Sequence, residues 1–285
     1  VKLAICTATT DLERARPCLD SWIKCAQPDP PPIFIVVQTG KRPESVSVDG
    51  TQVAWIHTEE YLGSVKAFRI VTEAALHGDF QVIACLHDDF EIREQGWDRK
   101  VLKYFTRKWD IGLLGFGGAT GLGAADMYQR AYDPMSLART GFRSDLEDAE
   151  AHGLRSVLAE RVACLDGFSQ VGRKEFWAGY LNPLAANDPL RQGLLRSLQP
   201  WRVLEDLGIV HHLYDGLLGA IAARNGWETW YVPLRSKHWG GRTAVGDAGY
   251  QRWALDQTRG GDHDFWLQAH AIGYEQFRDV LPLRV

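Results

Sequence analysis

The sequence has no basic excess, no cysteine pair at C-x-x-C spacing, no internal repeat, and no apolar run near the ~20 residues a membrane span needs. Lys and Arg number 32 against 36 Asp and Glu, a net charge of −4, which argues against polyanion binding by bulk electrostatics. The least patterned stretch, Asp126 to Arg202, carries ten basic and ten acidic side chains, so it hides no basic patch either. The five cysteines (Cys6, Cys18, Cys25, Cys85, Cys164) are odd in number and lie mostly within apolar runs, which reads as buried free thiols in a reducing compartment. The apolar opening Val1 to Cys6 is interrupted at Thr7, short of a signal sequence, and the expected location is cytoplasmic. What remains is an ordinary globular composition, 45% apolar and 24% charged over 285 residues, enough for one compact unit.

Short apolar runs alternate with helical periodicity through the first third. Leu3–Cys6, Pro32–Val37, Val53–Ile56 and Gln81–Leu86 read as strands, and Leu12–Cys25 and Ser64–Leu76 as helices. That order predicts an α/β fold with a mixed, mostly parallel sheet flanked by helices. Gln81–Leu86 is continuously apolar and should be central. Trp97–Trp109 reads as a helix, Ile111–Phe116 as a strand, and the glycines through Gly123 as a turn or lid. Ala124–Arg161 loses periodicity and is expected to be a mobile insertion, followed by a strand at Val162–Leu165, helices from Arg173 and over Asp215–Asn225, and a strand at Thr229–Val232. The expected organisation is a donor-binding half (1–123), an acceptor-binding half (124–245) with the insertion at 124–161, and a C-terminal extension (246–285) packed on the same domain.

In an open α/β sheet, ligands gather beyond the carboxyl ends of the strands. The residues there are Thr7-Ala8-Thr9, Gln38-Thr39-Gly40 and His87-Asp88-Asp89. Two adjacent carboxylates at the end of a buried strand repel one another and resist desolvation, which calls for a cation beside them. Oxygen donors suit Mg²⁺ or Mn²⁺, and a histidine admits Mn²⁺ more readily. The plain alternative is an Asp-Asp pair capping a turn.

The opening Val1–Thr9 with Arg16-Pro17-Cys18-Leu19-Asp20-Ser21-Trp22 resembles the first strand and helix of GT-A glycosyltransferases, especially the family-2-like inverting group. Four further segments resemble that group in order: Leu62–Arg69, its glycine-led helix; Leu86-His87-Asp88-Asp89 through Gly96-Trp97, its D-x-D strand end; Leu165–Arg173, the strand into its acceptor half; and Tyr214-Asp215 with Lys237-His238-Trp239, its late acidic residue and metal-binding histidine. Two positions depart from the pattern. His87 stands where the first carboxylate of D-x-D would be, and Gln38-Thr39 replaces the acidic residue that commonly follows strand two.

The resemblance implies a nucleoside-diphosphate-sugar donor, UDP-linked in this reading, with Mn²⁺ or Mg²⁺ as cofactor. Asp89 and His238 are then metal ligands. Thr7, Ala8, Thr9, Gln38, Lys66, His87 and Asp88 would bind the nucleotide, with His87 on either the ribose or the metal. Asp215 would be the catalytic base, its alternative being a helix N-cap, with Asp166 and Asp126 as fallbacks. Lys66 and Arg69 are phosphate contacts or solvated surface cations. His211-His212 lacks further ligands at zinc spacing, and Gly115–Gly121 fails the dinucleotide fingerprint because Thr120 takes the third glycine position. Trp177, Trp201, Trp239 and Trp266 are core or sugar-stacking residues. The acceptor is open among a glycan, a protein side chain, a small molecule and a hydroxylated DNA base, the last drawing on Arg130, Arg139, Arg143 and Arg155. Two other functions compete: a sugar-phosphate nucleotidyltransferase, for which Thr7–Asp11 lacks a phosphate loop, and a catalytically silent sugar- or nucleotide-binding module.

Overall fold

In the computed structural model, eight strands form one sheet with a core packed on each face, and the chain is described over residues 1–285 except 27–28, 40, 49, 124–138, 148–153, 190–192, 194, 212, 241–263 and 282. The first elements are β1 (Leu3–Thr9), α1 (Leu12–Lys24), β2 (Ile33–Gln38), β3 (Val53–Thr58), α2 (Gly63–Leu76), β4 (Val82–Leu86), β5 (Phe90–Ile92), α3 (Trp97–Arg107) and β6 (Ile111–Gly115). There follow β7 (Gly117–Leu122), β8 (Arg139–Ser144), β9 (Leu154–Arg155), β10 (Glu160–Arg161), β11 (Cys164–Leu165), β12 (Ser169–Arg173), α4 (Lys174–Trp177), α5 (Pro183–Ala186) and α6 (Pro200–Asp206). The last are α7 (Tyr214–Arg224), β13 (Glu228–Tyr231), β14 (Ser236–His238), α8 (Asp264–Phe277) and β15 (Leu283–Arg284). Among the described residues, no helix is long and apolar enough to cross a membrane.

The main sheet has the order β10-β13-β6-β12-β4-β1-β2-β3, in which only β10 and β12 oppose the other six strands. It is therefore mixed and mostly parallel, with strands from both halves of the chain in one layer. The two-residue period of the strands sorts their side chains between two cores. Ala4, Cys6, Ile83 and Cys85 face α2, α6 and α7, while Leu3, Ile5, Ala84 and Leu86 face α1 and α3. β4 is buried throughout and lies between β1 and β12, as its apolar run predicts.

Local chemistry fixes the elements around the end of β4. Asp11 caps α1 by accepting from the Arg14 backbone N–H, and α1 buries Ala15, Cys18, Leu19, Trp22 and Ile23. Trp22 Nε1 donates to Phe90 O at 2.6 Å and Trp97 Nε1 to Trp22 O at 2.8 Å, so two buried indoles hold the backbone that follows Asp89. Gly96, at φ 72°, opens α3.

Two expectations are corrected. The glycine-rich segment after β6 is a strand, β7, in a second sheet of order β11-β7-β8-β9. A Cβ on Gly117 would meet the Phe168 ring at 2.7 Å, and one on Gly118 the Cys164 carbonyl at 2.9 Å, so these glycines permit close packing and do not form a lid. The insertion expected at 124–161 is not one loop either, because its described parts form β8, β9 and β10. Their arginines are tied to acids: Arg143 to Glu160 at 3.0 Å and Arg155 to Asp145 at 2.8 Å. Gly40, Asp126, Arg130, His212, Gly241 and the side chain of Trp266 lie outside the described residues. At the far end, β15 pairs with β7, and Phe277 and Leu281 join the core beside the Arg224–Asp279 ion pair.

All five cysteines are buried free thiols. Burial pushes Cys164 up to about 12 and raises Cys6 well above the usual thiol value. Ellman's reagent should therefore find almost no fast-reacting thiol in the native protein at pH 8 and all five in guanidinium; rapid native reaction of two or more would contradict this packing.

Candidate functional site

The residues beyond the carboxyl ends of β1 and β4 meet a strand from near residue 238 and the first turn of α7. β14 pairs antiparallel with β5, with His238 opposite Phe90, and the Trp239 N–H donates to Asp89 O at 3.0 Å. That pairing brings His238 Nε2 to 3.2 Å from Asp89 Oδ1. His87 Nδ1 lies 3.9 Å from the same oxygen. One ligand atom from each of His87, Asp89 and His238 falls within 4.8 Å of the others. Asp89 is 7% exposed, and the His238 imidazole is the closest basic partner of its Oδ1.

Each imidazole rests on a phenyl ring. His87 stacks on Phe68 with centroids 6.1 Å apart, and His238 packs on Phe168 at 4.8 Å. Behind Phe68 the stack continues to Trp201 and Trp177 in the core. Burial raises the Asp89 carboxyl, but the His238 and His87 imidazoles outweigh it and hold the group below its ordinary value. Burial lowers the His87 imidazole below its ordinary value, against the pull of Asp89.

Asp88 points elsewhere. Thr9 Oγ1 donates to its Oδ2 at 2.6 Å, and Arg14 Nη2 is 4.0 Å away. Burial pushes Asp88 up to about 6; the Thr9 hydrogen bond opposes this, the Asp89 charge adds to it, and Arg14 opposes it.

Asp215 sits in the first turn of α7 and is not its N-cap, which is Leu213. Leu213 has φ 68°, a left-handed conformation that costs a branched residue about 1 kcal/mol or more and is kept here where it aims Tyr214 and Asp215. Asp215 Oδ2 accepts from Arg139 Nη1 at 2.5 Å, and its Oδ1 from the Gly216 N–H. Asp166 Oδ2 is 3.9 Å from the same guanidinium. The two carboxylates, Asp215 foremost, raise the Arg139 pKa further.

Other residues assigned to the nucleotide are placed as follows. Thr7 is fully buried and donates to Leu86 O at 2.7 Å, and Gln38 Oε1 accepts from the Leu62 N–H at 2.7 Å, so both side chains tie elements together. Ala8 is half-buried on β1, and Lys66 is exposed on α2. Arg69 is held by Glu73 at 2.8 Å and Glu205 at 2.7 Å. Sequence reasoning gave no role to Arg139 on Asp215 or to Tyr214 on His87. No spacing signal could have found either, since each joins residues 76 to 127 positions apart.

Neither a protein-family model nor a curated protein matches the sequence. Among solved structures, the chain is similar to A197 from STIV, at 10% identity and a TM-score of 0.43 over 84% of this chain and 86% of that one. It is also similar to the mannosyltransferase PcManGT from Pyrobaculum calidifontis in complex with GDP-Man and Mn²⁺, at 14% identity and a TM-score of 0.44 over 95% of this chain and 69% of that one. At these TM-scores neither likeness bears on the chemistry of this chain.

Asp88 yields a pH prediction. A carboxyl whose pKa is higher folded than unfolded binds its proton more tightly in the native state, so metal-free protein loses stability as pH rises from about 4 through about 6. Asp88→Asn removes that loss: in EDTA its stability relative to the parent should be greater at pH 7.5 than at pH 4, by on the order of 1–3 kcal/mol in denaturant melts. An offset equal at both pH values would show that Asp88 is ionised in water at no cost.

Proposed function

We propose that this chain is a metal-dependent glycosyltransferase that moves a sugar from a nucleoside-diphosphate sugar, UDP-linked in our reading, to an acceptor hydroxyl with inversion. The observation that carries this reading is the group His87, Asp89 and His238 at the carboxyl end of the central strand, with Asp215 held nearby through Tyr214, its neighbour on α7. The donor set fits a divalent cation: two imidazoles and one buried carboxylate, with ligand atoms close enough to converge on one ion. A cation held by these three residues would neutralise the charge that develops on a departing diphosphate.

The chain's own residues would do the rest. Asp88, held by Thr9 and flanked by Arg14, offers oxygens to a ribose hydroxyl. Asp215 takes the acceptor proton; to do so it must be released by Arg139, which occupies Oδ2 in this conformation. Asp166 stands ready to hold the displaced guanidinium. The Arg139–Asp215 ion pair also favours a second reading, a site that binds a nucleotide sugar without turnover, because the guanidinium occupies the oxygen that would take the acceptor proton.

A panel of nucleotide sugars with Mn²⁺, followed by release of free nucleoside diphosphate and mass spectrometry of mixed acceptors, separates the two. Asp89→Ala should abolish both metal-dependent nucleotide binding and turnover. Asp215→Asn should bind as the parent does and lose about 10²–10⁴-fold in rate. A near-normal rate in Asp215→Asn would remove the base assignment, and binding of a donor with no turnover by the parent would establish the silent module.

A further inference from the structure

We infer that Tyr214 is a positioning residue that holds His87 in the tautomer with a bare Nδ1, making His87 a third protein ligand of the cation site and giving that site a preference for Mn²⁺ over Mg²⁺. This rests on the metal-binding reading above and adds to it a residue, a ligand atom and a selectivity.

The phenol of Tyr214 has one proton and two close polar neighbours, Gly167 O at 3.0 Å and His87 Nε2 at 2.5 Å. A carbonyl oxygen can only accept, so the phenol donates to Gly167. The short contact to His87 then requires Nε2 to carry the hydrogen and donate to Tyr214 Oη. A neutral imidazole protonated at Nε2 has an unprotonated Nδ1, and the ring's stacking on Phe68 holds it in place. That Nδ1 is the atom 3.9 Å from Asp89 Oδ1. A lone pair and a carboxylate oxygen facing each other at this distance share no hydrogen bond. Bonds of ~2.1 Å put neighbouring ligand atoms roughly 3–3.5 Å apart, so this pair must draw together by about half an ångström around a shared ion.

His238 presents Nε2 to the same carboxylate oxygen at 3.2 Å, so the protein supplies two nitrogens and one oxygen. Imidazole nitrogen suits first-row transition ions, whereas Mg²⁺ favours oxygen and keeps its waters. The hydrogen bond to the far nitrogen of a ligating histidine fixes the ring and raises its donor strength, and loss of such partners costs 10–100-fold in metal affinity.

The test uses Mn²⁺ alone, titrated into the intact chain and followed by the electron paramagnetic resonance of the free ion, with Mg²⁺ as competitor. The parent should bind Mn²⁺ at least tenfold more tightly than Mg²⁺. Tyr214→Phe keeps the buried ring and should lose about 10–100-fold for Mn²⁺ with less than a threefold change for Mg²⁺, which a merely structural loss would not produce. Gly167→Ala, whose added methyl would lie 2.8 Å from Tyr214 Oη, should move the selectivity in the same direction. In a His87→Ala background, Tyr214→Phe should add nothing. Parent-like Mn²⁺ binding by Tyr214→Phe, or an equal loss with and without His87, overturns the relay and leaves the metal reading standing. If the parent binds no Mn²⁺, both fall together.

Discussion

A carboxylate withdrawn from water must be met by positive charge or by hydrogen-bond donors, and Asp89 imposes that demand at the end of the central strand. Much of the surrounding architecture answers it. The β5–β14 pair exists at the place where it delivers His238 to that carboxylate, and the Trp239 N–H holds the Asp89 backbone in register. Trp22 and Trp97 fix the chain just beyond. Two imidazoles on two phenyl rings complete a cluster with little freedom to relax.

The neighbouring acids have been given separate environments. Asp88 is turned toward Thr9 and Arg14, Asp89 toward the histidines, and Asp215 toward Arg139. Three carboxylates within one region would repel one another if all were free; pairing each with a different partner divides the charge among distinct tasks. Arg139 is the hinge of this arrangement, because it belongs to the second sheet and yet neutralises a residue on α7. That one side chain ties the second sheet to α7.

The early part of the fold was legible because its strands are apolar on both faces and its helices keep a 3.6-residue period; β1 to β6 needed only these signals and missed β5, a three-residue strand. The later part was legible only in places: the strand read at Val162–Leu165 holds β11, and the helix over Asp215–Asn225 and the strand at Thr229–Val232 match α7 and β13. β9 and β10 have two residues each, too few for any period to register, and β7 is so rich in glycine that it looks like a turn. Its glycines answer to the close approach of Phe168 and Cys164, a tertiary fact that no window of sequence contains. The same holds for the site. Asp88 and Asp89 announce themselves as adjacent acids after a buried strand, whereas His238 came forward only through a family resemblance. Tyr214 and Arg139 have meaning only through partners far away in the chain.

The candidate cluster draws His87 and Asp89 from the end of β4 and His238 from β14, which the chain reaches only after every strand of the main sheet has been threaded. Such a cluster cannot assemble in a nascent chain that stops short of β14. An ion gripped there would clasp early and late segments together, so occupancy would mark the completed native topology and slow its opening as well as prepare it for chemistry.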